Sequence, residues 1–200
     1  MDILIKEKGK QKKFKLIKKW SDVTLETFQK LISFHTGSKS KEALNTIAEL
    51  SNIPKDLINK LEISDVAAIM SRIAKLQTEQ SSVLKKVVEI DNVKYGFHPD
   101  LDSITLGEYA DIETFIKSDI QRKLPEAMAV LFRPIVKETE NGVYTIEAYD
   151  GDISIRAEEM KKMSAEQVQN ALVFFWTFVN VFFQTMQLYL KELKQEEKEQ

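Results

Sequence analysis

Cysteine is missing from all 200 residues, which excludes disulfides, thiolate metal sites and cysteine nucleophiles and fits a reducing compartment. Glycine and proline are scarce, at six and four, so there is little material for long flexible connections. The two histidines, His35 and His98, stand far apart in loop-like surroundings, and neither has metal-ligand spacing around it. A glycine-rich phosphate loop, a G-x-S-x-G elbow and an H-E-x-x-H helix are all lacking. With a net charge of −2 the chain has no global attraction to nucleic acid. These absences argue against an enzyme and call for no cofactor and no metal. The length suits one domain, or one domain with a small appendage.

Charge is lacking in one further place. Gln167 to Leu190 is a run of 24 residues without a charge, in a chain that is 30% charged, and it holds seven of the eighteen aromatic residues. Such a run must be buried in the protein's own core, in a partner or in a bilayer. On a helical wheel Asn170, Thr177, Asn180, Gln184, Gln187 and Lys191 form a narrow polar stripe. Phe174, Phe175, Phe178, Val179, Val181, Phe182, Met186 and Tyr189 fill most of the rest, with Trp176 and Phe183 closing toward the stripe. An apolar arc this wide exceeds the needs of a surface helix, so the helix is central or covered on two sides. Its polar residues, the lack of a preceding basic flank and the mixed-sign tail argue against a membrane span. Uncharged amides suit hydrogen bonding to a neighbouring element. The candidate interface residues are therefore Phe175, Trp176, Val179, Asn180, Phe183, Gln184 and Gln187.

The start of the chain is lysine-rich: eight lysines between Lys6 and Lys19 face the single Glu7. Ile3-Leu4-Ile5 is too short for a secretory apolar run. The segment reads as a hairpin with solvated lysines or as a basic arm. In the second case Lys12, Lys13, Lys18 and Lys19 are the candidate nucleic-acid contacts. Helical spacing then runs from Val23 to Phe34, capped by Ser21 or Asp22, and continues in Lys41–Leu50, Pro54–Leu61 and Ser64–Gln80, the last capped by Ser64-Asp65. These short helices mimic a helix-turn-helix, but Arg72 and Lys75 against Asp65 and Glu79 are poor material for reading DNA.

Two more hairpins are expected, one turning at Asp91-Asn92 and one at Asn141-Gly142. Val23-Thr-Leu-Glu-Thr-Phe28 and Ile104-Thr-Leu-Gly-Glu-Tyr109 look like the same helix-start chemistry used twice. The carboxylates Asp100, Asp102, Glu108, Asp111 and Glu113 gather around the second of these starts, where the helix dipole favours acids. Lys123 to Phe132 is a helix stopped by Arg133-Pro134, Ala157 to Met163 is a short one, and Ser164-x-x-Gln167 has the form of a capping box for the last. The fold expected is α+β, mainly α-helical, with two or three small β-hairpins packed around a long aromatic C-terminal helix. Residues 1–19 form the basic hairpin or arm, 20–190 the mainly helical domain, and 191–200 a charged tail expected to be mobile.

Trp20-Ser-Asp-Val-Thr-Leu-Glu26, Ile53-Pro-Lys-Asp-Leu57, Tyr95-Gly-Phe97, Asp100-Leu-Asp-Ser-Ile-Thr-Leu-Gly-Glu-Tyr109, Ala127-Met-Ala-Val-Leu-Phe-Arg-Pro-Ile135 and Ala171-Leu-Val-Phe-Phe-Trp176 span most of the chain. In this order they resemble small virion structure and assembly proteins of tailed bacteriophages, crAss-like phages included. The resemblance implies a non-catalytic protein of the tail or neck, present in several copies and joined to other phage structural proteins. It would sit in the virion, or in the bacterial host cytoplasm during assembly. It leaves open a tail assembly chaperone absent from the mature particle. The residues alone also leave open a nucleic-acid-binding protein that uses the basic N-terminus.

Overall fold

The computed structural model of the protein describes residues 2–7, 10–177 and 180. Strands β1 (Asp2–Glu7) and β2 (Lys10–Lys15) form the first hairpin, with Asp2 opposite Lys15 and Leu4 opposite Lys13. Alternation along β1 turns Ile3 and Ile5 inward and leaves Leu4 63% exposed on the outer face. The hairpin is not a separate arm. Ile3, Ile5 and Leu16 are buried together with Trp20, Ile47, Leu50 and Leu57.

A 3₁₀ turn at Trp20–Asp22 follows, and Asp22 accepts from the backbone N–H of Lys18 and Lys19 (3.3 and 3.1 Å) instead of capping a helix. Thr24 takes the capping role for α1 (Leu25–Ser33), its hydroxyl accepting from Thr27 N–H at 3.2 Å. Next come α2 (Lys39–Leu50), α3 (Lys55–Ile58), introduced by Pro54, and α4 (Ile63–Thr78). α4 starts one residue earlier than Ser64-Asp65 would set it, from Glu62, and no side chain caps it. Its Ile69 and Ile73 face the core.

The second half opens with β3 (Val87–Ile90) and β4 (Val93–Phe97). Asp91 and Asn92 between them have φ of 50° and 65°, the left-handed pair that a two-residue hairpin turn requires. Thr105 caps α5 (Leu106–Asp119) in a full capping box with Glu108, so the repeated Thr-Leu segments do share one helix-start chemistry. α6 (Leu124–Leu131) runs directly into β5 (Phe132–Glu138). Phe132 is already extended (φ −115°, ψ 120°), one residue before the expected stop. β6 (Tyr144–Ile146), α7 (Ser154–Met160) and α8, over residues 165–177, complete the described elements.

The second and third hairpins are not independent. β4 pairs with β5, Tyr95 opposite Pro134, Gly96 opposite Arg133 and Phe97 opposite Phe132, giving one antiparallel sheet in the order β3-β4-β5-β6. Gly96 makes room for β6: a Cβ there would overlap the ring of Tyr144 and lie 2.9 Å from Ile146. The Tyr144 hydroxyl in turn donates to the carbonyls of Phe97 (2.8 Å) and Lys86 (3.2 Å).

The fold is thus mixed α+β with two antiparallel sheets, and its interior divides in two. One apolar cluster is drawn from residues 3–73 plus Ala165, the other from residues 90–175 plus Leu25. Phe28 packs against both. Backbone hydrogen bonds tie residues 23–26 to residues 161–165, far apart in sequence: Leu25 N–H to Met163 O (2.7 Å), Glu26 N–H to Lys161 O (3.0 Å) and Ala165 N–H to Val23 O (2.8 Å). No helix among the described residues is long and apolar enough to cross a membrane.

Candidate partner-binding face

α8 begins ahead of the amide stripe, whose first residue, Asn170, has a partner within the chain, shared with Glu166 and Gln167 of the first turn. The extended segment 81–85, between α4 and β3, lies across the helix without pairing to any strand. Ser81 N–H donates to Glu166 Oε1 (2.6 Å) and Lys85 N–H to Gln167 Oε1 (2.8 Å). Gln167 Nε2 donates to Val83 O at 3.3 Å, and Asn170 Nδ2 donates to Ser81 O and Val83 O at 3.0 and 3.1 Å. Side chains of the helix therefore satisfy a backbone that no ladder reaches. The capping box Ser164-x-x-Gln167 does not form, because Gln167 is engaged with this strap and the buried Ser164 hydroxyl has no partner. Asn170 does what its place in the stripe implied.

The apolar arc of α8 splits at the protein surface. Val168, Ala171 and Phe175 are fully buried in the second cluster, whereas Val173, Phe174 and Trp176 are 67%, 46% and 38% exposed. Phe175 is thereby removed from the candidate interface, since the domain's own core already covers its ring. Trp176 and Asn180 are exposed. Val179, Phe183, Gln184 and Gln187 lie outside the described residues. Sequence reasoning passed over Val173 as an interface residue, and the usable signal was its place on the wheel, opposite Ala171 and Phe175. Beside Phe174 opens a groove of about 580 Å³ between α8, the strap and the turn after β4, with Leu84, Phe97 and Leu101 among its walls. Phe97 stacks edge-on against Phe132 (5.2 Å) and Phe174 (5.5 Å), so the core continues without a break into the groove.

Behind the groove lies a buried ionic network that the sequence did not reveal. His98, at the end of β4, is 8% exposed and not a surface-loop residue; its Nε2 lies 3.6 Å from Glu108 Oε1. Arg133 Nη2 is 2.6 Å from that same oxygen, and Thr105 donates to Oε2 through its amide (2.7 Å) and hydroxyl (2.6 Å). The Arg133 guanidinium also sits 5.8 Å from the centre of the Tyr149 ring, and the Tyr149 hydroxyl donates to Asp111. Burial pushes the Glu108 pKa up, but the two Thr105 bonds, Arg133 and His98 outweigh it and hold the carboxyl below its ordinary value. Burial lowers His98, reinforced by Arg133 and opposed by Glu108. Burial, together with Asp111, raises Tyr149.

The acidic group seen in the sequence disperses into structural tasks. Asp100 caps a 3₁₀ turn at Leu101–Ser103, Glu108 anchors the network, Asp111 holds Tyr149 and Glu113 pairs with Lys117 (2.8 Å). Among the described residues no group of His, Asp and Glu could hold a metal ion. His35 is exposed and 3.7 Å from Glu42. Lys12, Lys13, Lys18 and Lys19 are all exposed, and Lys13 pairs with Asp2 at 2.9 Å.

Comparison with known protein families, curated proteins and solved structures finds no match to this chain.

Proposed function

We propose that the chain is a non-catalytic structural or assembly protein of a tailed bacteriophage, acting in the tail or neck region by burying apolar surface against neighbouring subunits. The last helix is the element around which domain and partner pack. The observation that carries this reading is the split of α8: Phe175 is sealed in the core while Val173, Phe174 and Trp176, one residue or two away, stand at the surface. Apolar residues grouped beside a groove on an otherwise charged chain mark a protein contact. The mechanism is burial, with Trp176 and Phe174 as the anchors, since aromatic residues dominate such contacts. The resemblance to phage assembly proteins supplies the class of partner, and the virion or the host cytoplasm during assembly is the corresponding location.

Protein mass spectrometry of purified particles tests this. A virion part is present in several copies, whereas a tail assembly chaperone, the nearest rival, is absent. Replacing Val173, Phe174 and Trp176 with serine leaves the domain folded and abolishes association with particles or their precursors. Undiminished association would remove α8 from the mechanism. The exposed lysines Lys12, Lys13, Lys18 and Lys19 support a rival of another class, nucleic-acid binding. That rival requires affinity that falls steeply with salt and vanishes when the four are replaced.

A further inference from the structure

The two halves of the molecule carry opposite charge. Residues 1–79, which hold the first apolar cluster except for Ala165, contain 15 Lys and Arg against 10 Asp and Glu, a net of +5. Residues 80–177, which hold the second except for Leu25, contain 11 against 17, a net of −6. The near-neutral total therefore conceals a dipole between two separately packed halves.

Each half also presents an apolar feature within its charge. On the outer face of β1–β2, Leu4 is 63% exposed, with Lys13 directly opposite and paired to Asp2 (2.9 Å), Lys15 two pairs along, opposite Asp2, and Lys60 and Arg72 beside Glu62 and Asp65 in the adjoining pocket. On the other half, the groove beside Phe174 has Asp100 and Asp102 on one wall against the single Lys86 on the other. Next to that wall α5 begins with Leu106, 83% exposed, and Gly107 lies against Tyr149, whose following residues Asp150 and Asp152 are exposed. An exposed leucine flanked by Lys13 and Lys15 on the half of net +5, and a groove edged by Asp100 and Asp102 on the half of net −6, are complementary in sign.

We propose that the Leu4 face of the hairpin in one copy docks onto the Asp100–Asp102 edge of the groove in the next, so that copies join head to tail. The two surfaces differ and lie on different halves, so the contact is heterologous, and repetition builds a ring or an open filament rather than a closed two-fold dimer. Opposite charge steers the encounter and sets the direction, and Leu4 supplies the apolar anchor. This goes beyond the α8 contact, because it involves only copies of this chain and its anchor and charges, Leu4, Lys13, Lys15, Asp100 and Asp102, lie outside the last helix, which shares only the inner wall of the groove.

The test is light scattering on the full chain over a range of protein concentration at low and high salt. The expected result is mass above the monomer at low salt, growing with concentration and falling as salt screens the contact. Lys13→Glu with Lys15→Glu, and separately Asp100→Lys with Asp102→Lys, each weaken association roughly a hundredfold through like-charge contact. Mixing the two variants restores it, because each reversed face then meets an opposite one. Circular dichroism confirms that both variants fold, the substituted side chains being exposed. A wild type that stays monomeric at low salt, variants that assemble as wild type does, or a mixture that fails to recover would each overturn the proposal. So would a monomer whose lysine face binds duplex DNA instead. Failure here leaves the α8 reading standing, since apolar association through Phe174 and Trp176 is insensitive to salt and to the Lys13 and Lys15 positions on the hairpin.

Discussion

Arg133→Met retains most of the side chain's length and removes its charge, leaving the carboxylate of Glu108, 1% exposed, without its cation. At 2.6 Å the gross attraction is about 6 kcal/mol at an effective dielectric near 20, much of it offset by the desolvation of both groups. Removing one partner forfeits the attraction but keeps the carboxylate buried, so the loss lies at about 3–5 kcal/mol. Thr105 and His98 remain beside the carboxylate and favour the lower end. Urea denaturation followed by circular dichroism reads this as a midpoint shift of roughly 2 M, for a slope near 2 kcal/mol per molar. The double variant Glu108→Gln/Arg133→Met has no stranded charge, and the new side-chain amide oxygen still accepts from Thr105. It should return to within about 1–2 kcal/mol of the parent. A midpoint shift under ~0.5 M for the single variant would mean that water reaches the carboxylate. A double variant as unstable as the sum of the singles would show that the pair is not coupled. Either result refutes the reasoning.

His98 is lowered by burial below its ordinary 6.5, so the unfolded chain takes up the proton first and stability falls as pH drops below about 6.5. Glu108, held below its ordinary value, adds a further loss at pH under about 4.5, and His98→Gln should flatten only the upper part of a stability–pH curve. Gln167→Met removes the acceptor of Lys85 N–H, and that amide should exchange with deuterium at least about tenfold faster while those of β4 and β5 keep their rates; unchanged exchange at Lys85 would mean that the strap is held by something other than the Gln167 side chain. Phe175→Ala should cost about 3–5 kcal/mol in urea denaturation of the isolated protein, and Trp176→Ala about 1 kcal/mol or less; equal costs would contradict the division of α8 into core and surface.

Turn chemistry was legible, helix caps were legible only in part, since Ser21 or Asp22, Ser64-Asp65 and Ser164-x-x-Gln167 do not cap as expected, and long-range pairing was not. Asp91-Asn92 and Asn141-Gly142 mark their turns because few residues accept positive φ, and Thr24 and Thr105 repeat a cap whose hydrogen bonds lie within one helical turn. The pairing of β4 with β5 joins residues about 35 apart in sequence, and no turn residue signals it. Arg133 gave no warning as a buried cation, because its carboxylate partner lies 25 positions earlier on another element. Its setting between the apolar run 127–132 and Pro134 was the available clue. The acids around α5 read as one group in the sequence, yet the fold points them at four different tasks. In α8 the wheel separated polar from apolar correctly. It could not divide the apolar arc between Phe175 and Trp176, since that division depends on where β4 and α6 end up.

The backbone bonds between residues 23–26 and 161–165 bear on the order in which the protein is made. All of the first apolar cluster except Ala165 lies in residues 3–73 and can gather while the residues that follow are still being synthesised. The amides of Leu25 and Glu26 and the carbonyl of Val23 must then wait for partners as much as 142 residues downstream. Closing a loop that long costs about 4 kcal/mol in chain entropy. The first half is therefore finished by a segment translated well after it, and a nascent chain released before residue 161 keeps the start of α1 open.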